Sequence, residues 1–201
     1  MFLLAYTDLR RGDRTTLRGC TARSLRRVGA DVAVVLHCSP ANAKRLRRDA
    51  RYDHVVTYTL EEGSSDAQAR IEVAVLSDCA LSLSTNSGPN RMLCDLTVDG
   101  KTASVGAIDR PTAGLYTVLL RIHDRNPVVL VGECTENLDD PAIADGIIRA
   151  GFIDTHPAKP RSAGEQTTRT RGILAKGLHA YGDGTYVNPD GCRVHWARLG
   201  H

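Results

Sequence analysis

Aromatic residues are scarce in this chain, with one Trp, six Tyr and two Phe among 201 residues, which leaves little material for a platform on which nucleic-acid bases would stack. Long apolar runs are missing too. No stretch reaches the roughly 18 residues that a membrane-crossing helix needs, and the opening MFLLAYTDLRR turns polar too soon for a secretory leader. The sequence therefore predicts a cytoplasmic protein without a membrane span. Six cysteines (Cys20, Cys38, Cys79, Cys94, Cys134 and Cys192) are scattered singly, with neither a CxxC pair nor zinc-ligand spacing. They read as reduced, buried, small hydrophobes. Four short motifs are absent as well: GxGxxG, GxxxxGK followed by Ser or Thr, HExxH and GxSxG. No serine stands on a nucleophile elbow.

What is present is ordinary globular composition, 42% hydrophobic and 24% charged, enough for one domain with a full core. Phe2 to Leu9 is an apolar run of strand length. Asp13 can cap a helix in which Leu17, Cys20, Leu25 and Val28 recur at helical spacing, with Gly29 as its stop. ADVAVVLHCS reads as a buried parallel strand, PANAKRLRRDAR as a helix with Pro40 in its first turn, and HVVTYTL as a third strand. Alternation of this kind predicts a parallel α/β sheet.

Further along, Asp66 to Asp78 reads as a helix carrying Ala67, Ile71, Ala74 and Cys79, and ALSLSTN as a fourth strand. Met92, Leu93 and Leu96 fall on another helix, and TASVGAID is a strand. Residues 111–134 fit either a helix followed by the strand PVVLVGE or an antiparallel pair turned at HDRN. Asp139 to Ala150 is a helix closed by Gly151, HPAKPRSAGEQTTRTRG a loop, and the tail a set of short strands around GDG and NPDG. With right-handed crossovers, the strand tips collect along one carboxyl edge, where open α/β sheets bind ligands. That edge gathers Tyr6, Thr7, Asp8, His37, Ser39, Thr59 and Ser84 to Ser87.

Charge is uneven. Arg18, Arg23, Arg26, Arg27, Lys44, Arg45, Arg47, Arg48 and Arg51 crowd into 34 residues, which fits either two solvated helix faces or a surface that meets phosphates.

Three segments in this order resemble the glycosyltransferase A fold, in particular its family-2-like inverting enzymes: GDRTTLRGCTARSLRRVGADVAVVLHCS, EEGSSDAQARIEVAVLSDCALSLSTN and ENLDDPAIADGIIRAGFIDTHP. The resemblance spans Phe2 to about Pro157. It implies a single Rossmann-like domain with a mostly parallel central sheet flanked by helices over 1–157, and a loop with a short β-rich tail, 158–201, packed on it. It also implies transfer of a sugar from a nucleotide-diphospho-sugar donor to an acceptor hydroxyl, with nucleic acid among the conceivable acceptors. Asp140 or Asp139 would be the base, Arg70 would contact the diphosphate, and Tyr6, Thr7, Asp8, His37, Ser39, Ser84 and Asn86 would line the donor site. Where that family places an Asp-x-Asp metal motif, this chain has Ser84-Thr85-Asn86. A divalent cation, Mn²⁺ or Mg²⁺, would then be held poorly, by Asn86 and His195.

Structure alone accounts for several of these residues. Asp139-Asp140-Pro141 is a natural helix start, and His195 beside the single Trp suits a packed structural position. Two other readings stand beside the transferase: a non-catalytic protein of the same fold, and another nucleotide-binding α/β protein. The second rests on SDCALSLSTNSGPNRMLCDLTVDGKTASVGAI, which is similar to a segment of two-domain heptosyltransferase-type enzymes.

Overall fold

A computed structural model of the chain describes residues 1–9, 14–61, 70–89, 91–108, 126–132, 148–155 and 172–201. Its elements are β1 (Phe2–Asp8), α1 (Arg14–Val28), β2 (Val32–Leu36), α2 (Pro40–Ala50), β3 (His54–Glu61), β4 (Arg70–Ser77), β5 (Leu81–Leu83), β6 (Arg91–Val98), β7 (Lys101–Ile108), β8 (Val128–Gly132), β9 (Ile153–Asp154), β10 (Ile173–Lys176), β11 (His179–Val187) and β12 (Arg193–Gly200). They form two six-stranded sheets, in the orders β11-β12-β1-β2-β4-β3 and β5-β6-β7-β8-β10-β9. The two sheets share one core. Phe2, Leu4, Tyr6, Val34 and Val73 of the first pack with Met92, Cys94, Val105, Val129 and Ile173 of the second.

The expected mostly parallel, Rossmann-like sheet is not what forms. In the first sheet only β1 and β2 pair in parallel, and in the second only β7 and β8 do. β3 runs in the direction of β2, as strand-helix-strand alternation requires, but β4 enters between them and pairs antiparallel with both. The segment read as a helix from Asp66 to Asp78 contains this strand. Ile71, Val73 and Val75 face the other sheet, whereas Ala74 and Leu76 face the helices. Its true period is two, and burial on both faces fills the gaps that would have revealed it.

The same masking hides β6. Met92, Cys94 and Leu96 point into the intersheet core while Leu93 is also buried, so the run imitates a helix face. Its hairpin with β7 turns at Asp99 and Gly100, with φ of 52° and 74°. Two successive left-handed residues make the turn whose twist suits a two-residue hairpin, and Asp-Gly is its preferred sequence.

On the outer face of the first sheet, α1 and α2 lie side by side and bury Cys20, Leu25, Ala43 and Leu46 against Ala5, Ala33 and Val35. Ser39 caps α2, its hydroxyl accepting a bond from the Asn42 amide at 3.3 Å, with Pro40 in the first turn. Arg51 closes it in a left-handed conformation, its amide donating to the carbonyls of Arg47 and Arg48. No helix among the described residues is long and apolar enough to cross a membrane.

Candidate active site

Strand direction decides which residues share an end of the sandwich. Met1 and Phe2 line a cavity of about 200 Å³ together with Asp99, Lys101, Tyr181 and His201, and the terminal ammonium lies 3.4 Å from the Asp99 carboxylate. The start of β1 and the β6–β7 turn therefore meet at one end. At the opposite end lie the last residues of β1, β2 and β3 and the first of β4 and β12, with Arg91, Ile108, Gly132 and Ile173 of the second sheet.

This second end carries ionisable chemistry. Alternation along β1 points Tyr6 and Asp8 toward the intersheet space, as the burial of Phe2, Leu4 and Tyr6 there requires. Asp8 Oδ1 lies 3.0 Å from Nδ1 of His37, their side chains 5% and 20% exposed. His37 follows β2 directly and has φ of 55°. That left-handed step carries the chain out of the sheet before Ser39 starts α2.

On the other side of β1, His195 pairs in register with Tyr6 and with Thr185 of β11. Its ring lies near-parallel to that of Tyr6 at 6.1 Å, and its Nδ1 is 2.9 Å from the Thr185 hydroxyl. His195 is only 5% exposed. Two residues before His195, where the β1–β12 pairing has ended, Arg193 opens β12 at this end and is exposed. The buried Thr7 hydroxyl donates to the Arg193 carbonyl at 2.8 Å, fixing the start of β12 against β1. The Asp8–His37 pair and the exposed start of β12 at Arg193 thus lie at the same end of the first sheet.

Nearby Cys38 is no nucleophile. Burial, with the Glu72 carboxylate beside it, pushes its thiol up to about 12, so it stays protonated at neutral pH.

Comparison with solved structures places the architecture. An endonuclease/exonuclease/phosphatase family protein from Leptotrichia buccalis superposes over the whole of both chains with a TM-score of 0.70 at 12% identity. A mannosyl-6-phosphatase from Bacteroides thetaiotaomicron does so over the whole of both chains with 0.64 at 9%. D. rerio TDP2, solved with a single-strand DNA product, matches with 0.65 at 11%, covering 100% of this chain and 99% of its own. The fold is that of the endonuclease/exonuclease/phosphatase proteins. No family model matches the sequence, and none of the curated proteins does.

This overturns the resemblance to family-2-like glycosyltransferases, and with it the transferase activity and the nucleotide-sugar donor. The similar segments are real as local patterns, but they lie on two mixed sheets packed face to face, the layout of the endonuclease/exonuclease/phosphatase fold, and not around one parallel sheet.

Of the residues singled out from sequence, Tyr6, Thr7, Asp8, His37 and His195 come together at one end. Ser39 is there too, occupied as the α2 cap. Ser84 and Asn86 belong to the tight connection between β5 and β6: the Ser84 hydroxyl accepts from the Asn86 amide at 3.4 Å, and the Asn86 carbonyl from Arg91 Nε at 2.8 Å. β5 packs against β3, at the far edge from β12. At about 4.8 Å per strand, Asn86 and His195 are on the order of 15–20 Å apart and do not share a ligand. Among the described residues no three His, Cys, Asp or Glu side chains gather as a metal site. The backbone of Arg70 opens β4 opposite Glu61. Asp139 and Asp140, with Glu133 and Glu136, lie outside the described residues.

Arg193 and Thr185 were missed. A signal existed for both: Arg193 is two residues before His195 and so on its face of β12, and the NPDG turn brings Thr185 back opposite His195.

Proposed function

We propose that the protein is a phosphoesterase, hydrolysing phosphodiester or phosphomonoester bonds at the end of the sandwich formed by Arg193, Asp8 and His37. The observation that carries this reading is the 3.0 Å contact between Asp8 and His37 in a fold it shares with a phosphatase and a DNA-bound protein. A carboxylate on Nδ1 holds a neutral imidazole with its proton there, leaving Nε2 able to accept one. A water molecule would give that proton to His37 as its oxygen bonds to phosphorus and the ester P–O bond breaks, the departing oxygen taking its proton from solvent. Arg193, exposed at the start of β12, would supply a positive fork for the non-bridging oxygens. His195, locked by Thr185 and Tyr6, walls the site on the β12 side.

Phosphoryl transfer is often assisted by Mg²⁺, which requires oxygen ligands and one or two carboxylates. Among the described residues Asp8 is engaged by His37, the Glu72 carboxylate lies beside Cys38, and no three His, Cys, Asp or Glu side chains gather as a metal site. No step is therefore assigned to a metal.

The test is turnover of bis(p-nitrophenyl) phosphate, p-nitrophenyl phosphate and a labelled oligonucleotide, with and without Mg²⁺ or Mn²⁺. His37→Gln is expected to lower kcat by about 10² to 10⁴, and Arg193→Gln to raise KM by about tenfold. Equal activity of both variants and the parent protein would remove the site from the reaction.

A further inference from the structure

The outer face of the first sheet carries a concentration of charge unconnected with the Asp8–His37 end. Residues 14–51 contain ten Lys and Arg against two Asp, whereas the whole chain has a net charge of only +3. The remainder is therefore net acidic.

On α1, Arg23, Arg26 and Arg27 are exposed, and on α2 Lys44, Arg45, Arg47 and Arg48, followed by Arg51 at its cap. The spacing i, i+3, i+4 from Lys44 to Arg48 sets one ridge along α2, and Arg51 follows at its left-handed cap, about 10 Å from Lys44 along the axis. The neighbouring helix places a second ridge about 8–10 Å away. Three of these arginines have partners: Arg23 pairs with Asp190 at 2.9 Å, Arg48 with Asp49 at 3.1 Å, and Arg47 donates to the Asp53 carbonyl. For Arg26, Arg27, Lys44, Arg45 and Arg51 no acidic partner occurs among the described residues. Helix dipoles account for cations in the last turns. They offer nothing to Lys44 and Arg45 in the middle of α2.

We infer that this face binds the phosphate backbone of a nucleic acid, at a surface separate from the Asp8–His37 end. Seven of the eight described cations are arginine, whose planar fork grips phosphate oxygens in pairs. A double helix presents one phosphate of each strand per 3.4 Å of its axis, so a stretch of this length laid along the axis spans about three. A bilayer would be recognised differently. It calls for large apolar side chains beside the cations, and the exposed large hydrophobics of the described chain, among them Leu83, Ile148, Tyr181 and Val187, all lie off these helices.

The test uses the whole chain and a variant carrying Arg26→Gln, Arg27→Gln, Lys44→Gln and Arg45→Gln, which removes charge while keeping good helix formers. Fluorescence anisotropy with a labelled duplex at low salt is expected to show binding that weakens by about tenfold or more in the variant, with a shallower dependence on salt. Circular dichroism checks that the variant is folded, and turnover of bis(p-nitrophenyl) phosphate is expected to be equal in the two proteins. Undiminished duplex binding in the folded variant overturns the proposal. So does capture by phosphatidylserine vesicles without binding to the duplex. Absence of turnover in both proteins would instead count against the phosphoesterase reading and leave the binding result intact.

Discussion

Asp8 and His37 face each other at 3.0 Å across the ends of the one parallel strand pair in the first sheet. If this carboxylate fixes the imidazole as a base, Asp8→Asn keeps the size and loses the charge. Turnover of a chromogenic phosphodiester is then expected to fall by about 10² to 10⁴, with KM nearly unchanged. A variant with full kcat would mean that the pair only closes the end of the sheet.

Ser39 sits at the same end, and its hydroxyl serves α2. Ser39→Ala is expected to cost about 1 kcal/mol of unfolding free energy, read from urea denaturation, with kcat and KM unaltered. A change in KM larger than the change in stability explains would return Ser39 to the ligand site.

Trp196 lies against Gly184, where an added Cβ would come within 2.7 Å of its ring. Gly184→Val is therefore expected to displace the indole and destabilise the edge by about 1–3 kcal/mol. Because this is the only Trp, its fluorescence reports the displacement directly. An unchanged emission maximum and melting temperature would contradict the packing described.

Asp78, at the end opposite the site, has its carboxyl raised above its ordinary value of about 3.8 by desolvation and by the carboxylates of Asp53 and Asp31. In the window above that value the folded chain binds more protons than the unfolded one, so its stability falls as pH rises through the window. Asp78→Asn removes the effect. The variant is expected to melt higher than the parent at pH 7 and to converge with it at the acid end of the window. A lower melting temperature at pH 7 would show that the carboxylate is favourably held.

Local periodicity carried the first part of the chain well. The run from β1 to β3, the Gly29 stop with its φ of 71°, and Pro40 at the start of α2 were all readable, because these are short-range effects, whereas Ser39 was read as a ligand residue and is the cap. Partner choice was not readable. Nothing within RIEVAVLS states that it inserts between β2 and β3, and the crossover rule is satisfied whether or not a strand intervenes. That insertion separates the observed fold from the expected parallel sheet. The site shows the same division. Asp8 and His37 were visible as tip residues, but their contact depends on the β1–β2 register, and the place of Arg193 depends on β12 lying beside β1.

That last pairing bears on how the chain reaches its native state. Phe2 is joined to Leu199 and Tyr6 to His195, so one side of the first strand waits for residues far along the chain. Loop closure of this span must be met before its hydrogen bonds repay it, which predicts slow folding by topology. While synthesis proceeds, that side of β1 is an open template for another chain. His195 reaches its place beside Tyr6 only as this edge closes, so the β12 wall of that end is assembled late by topology.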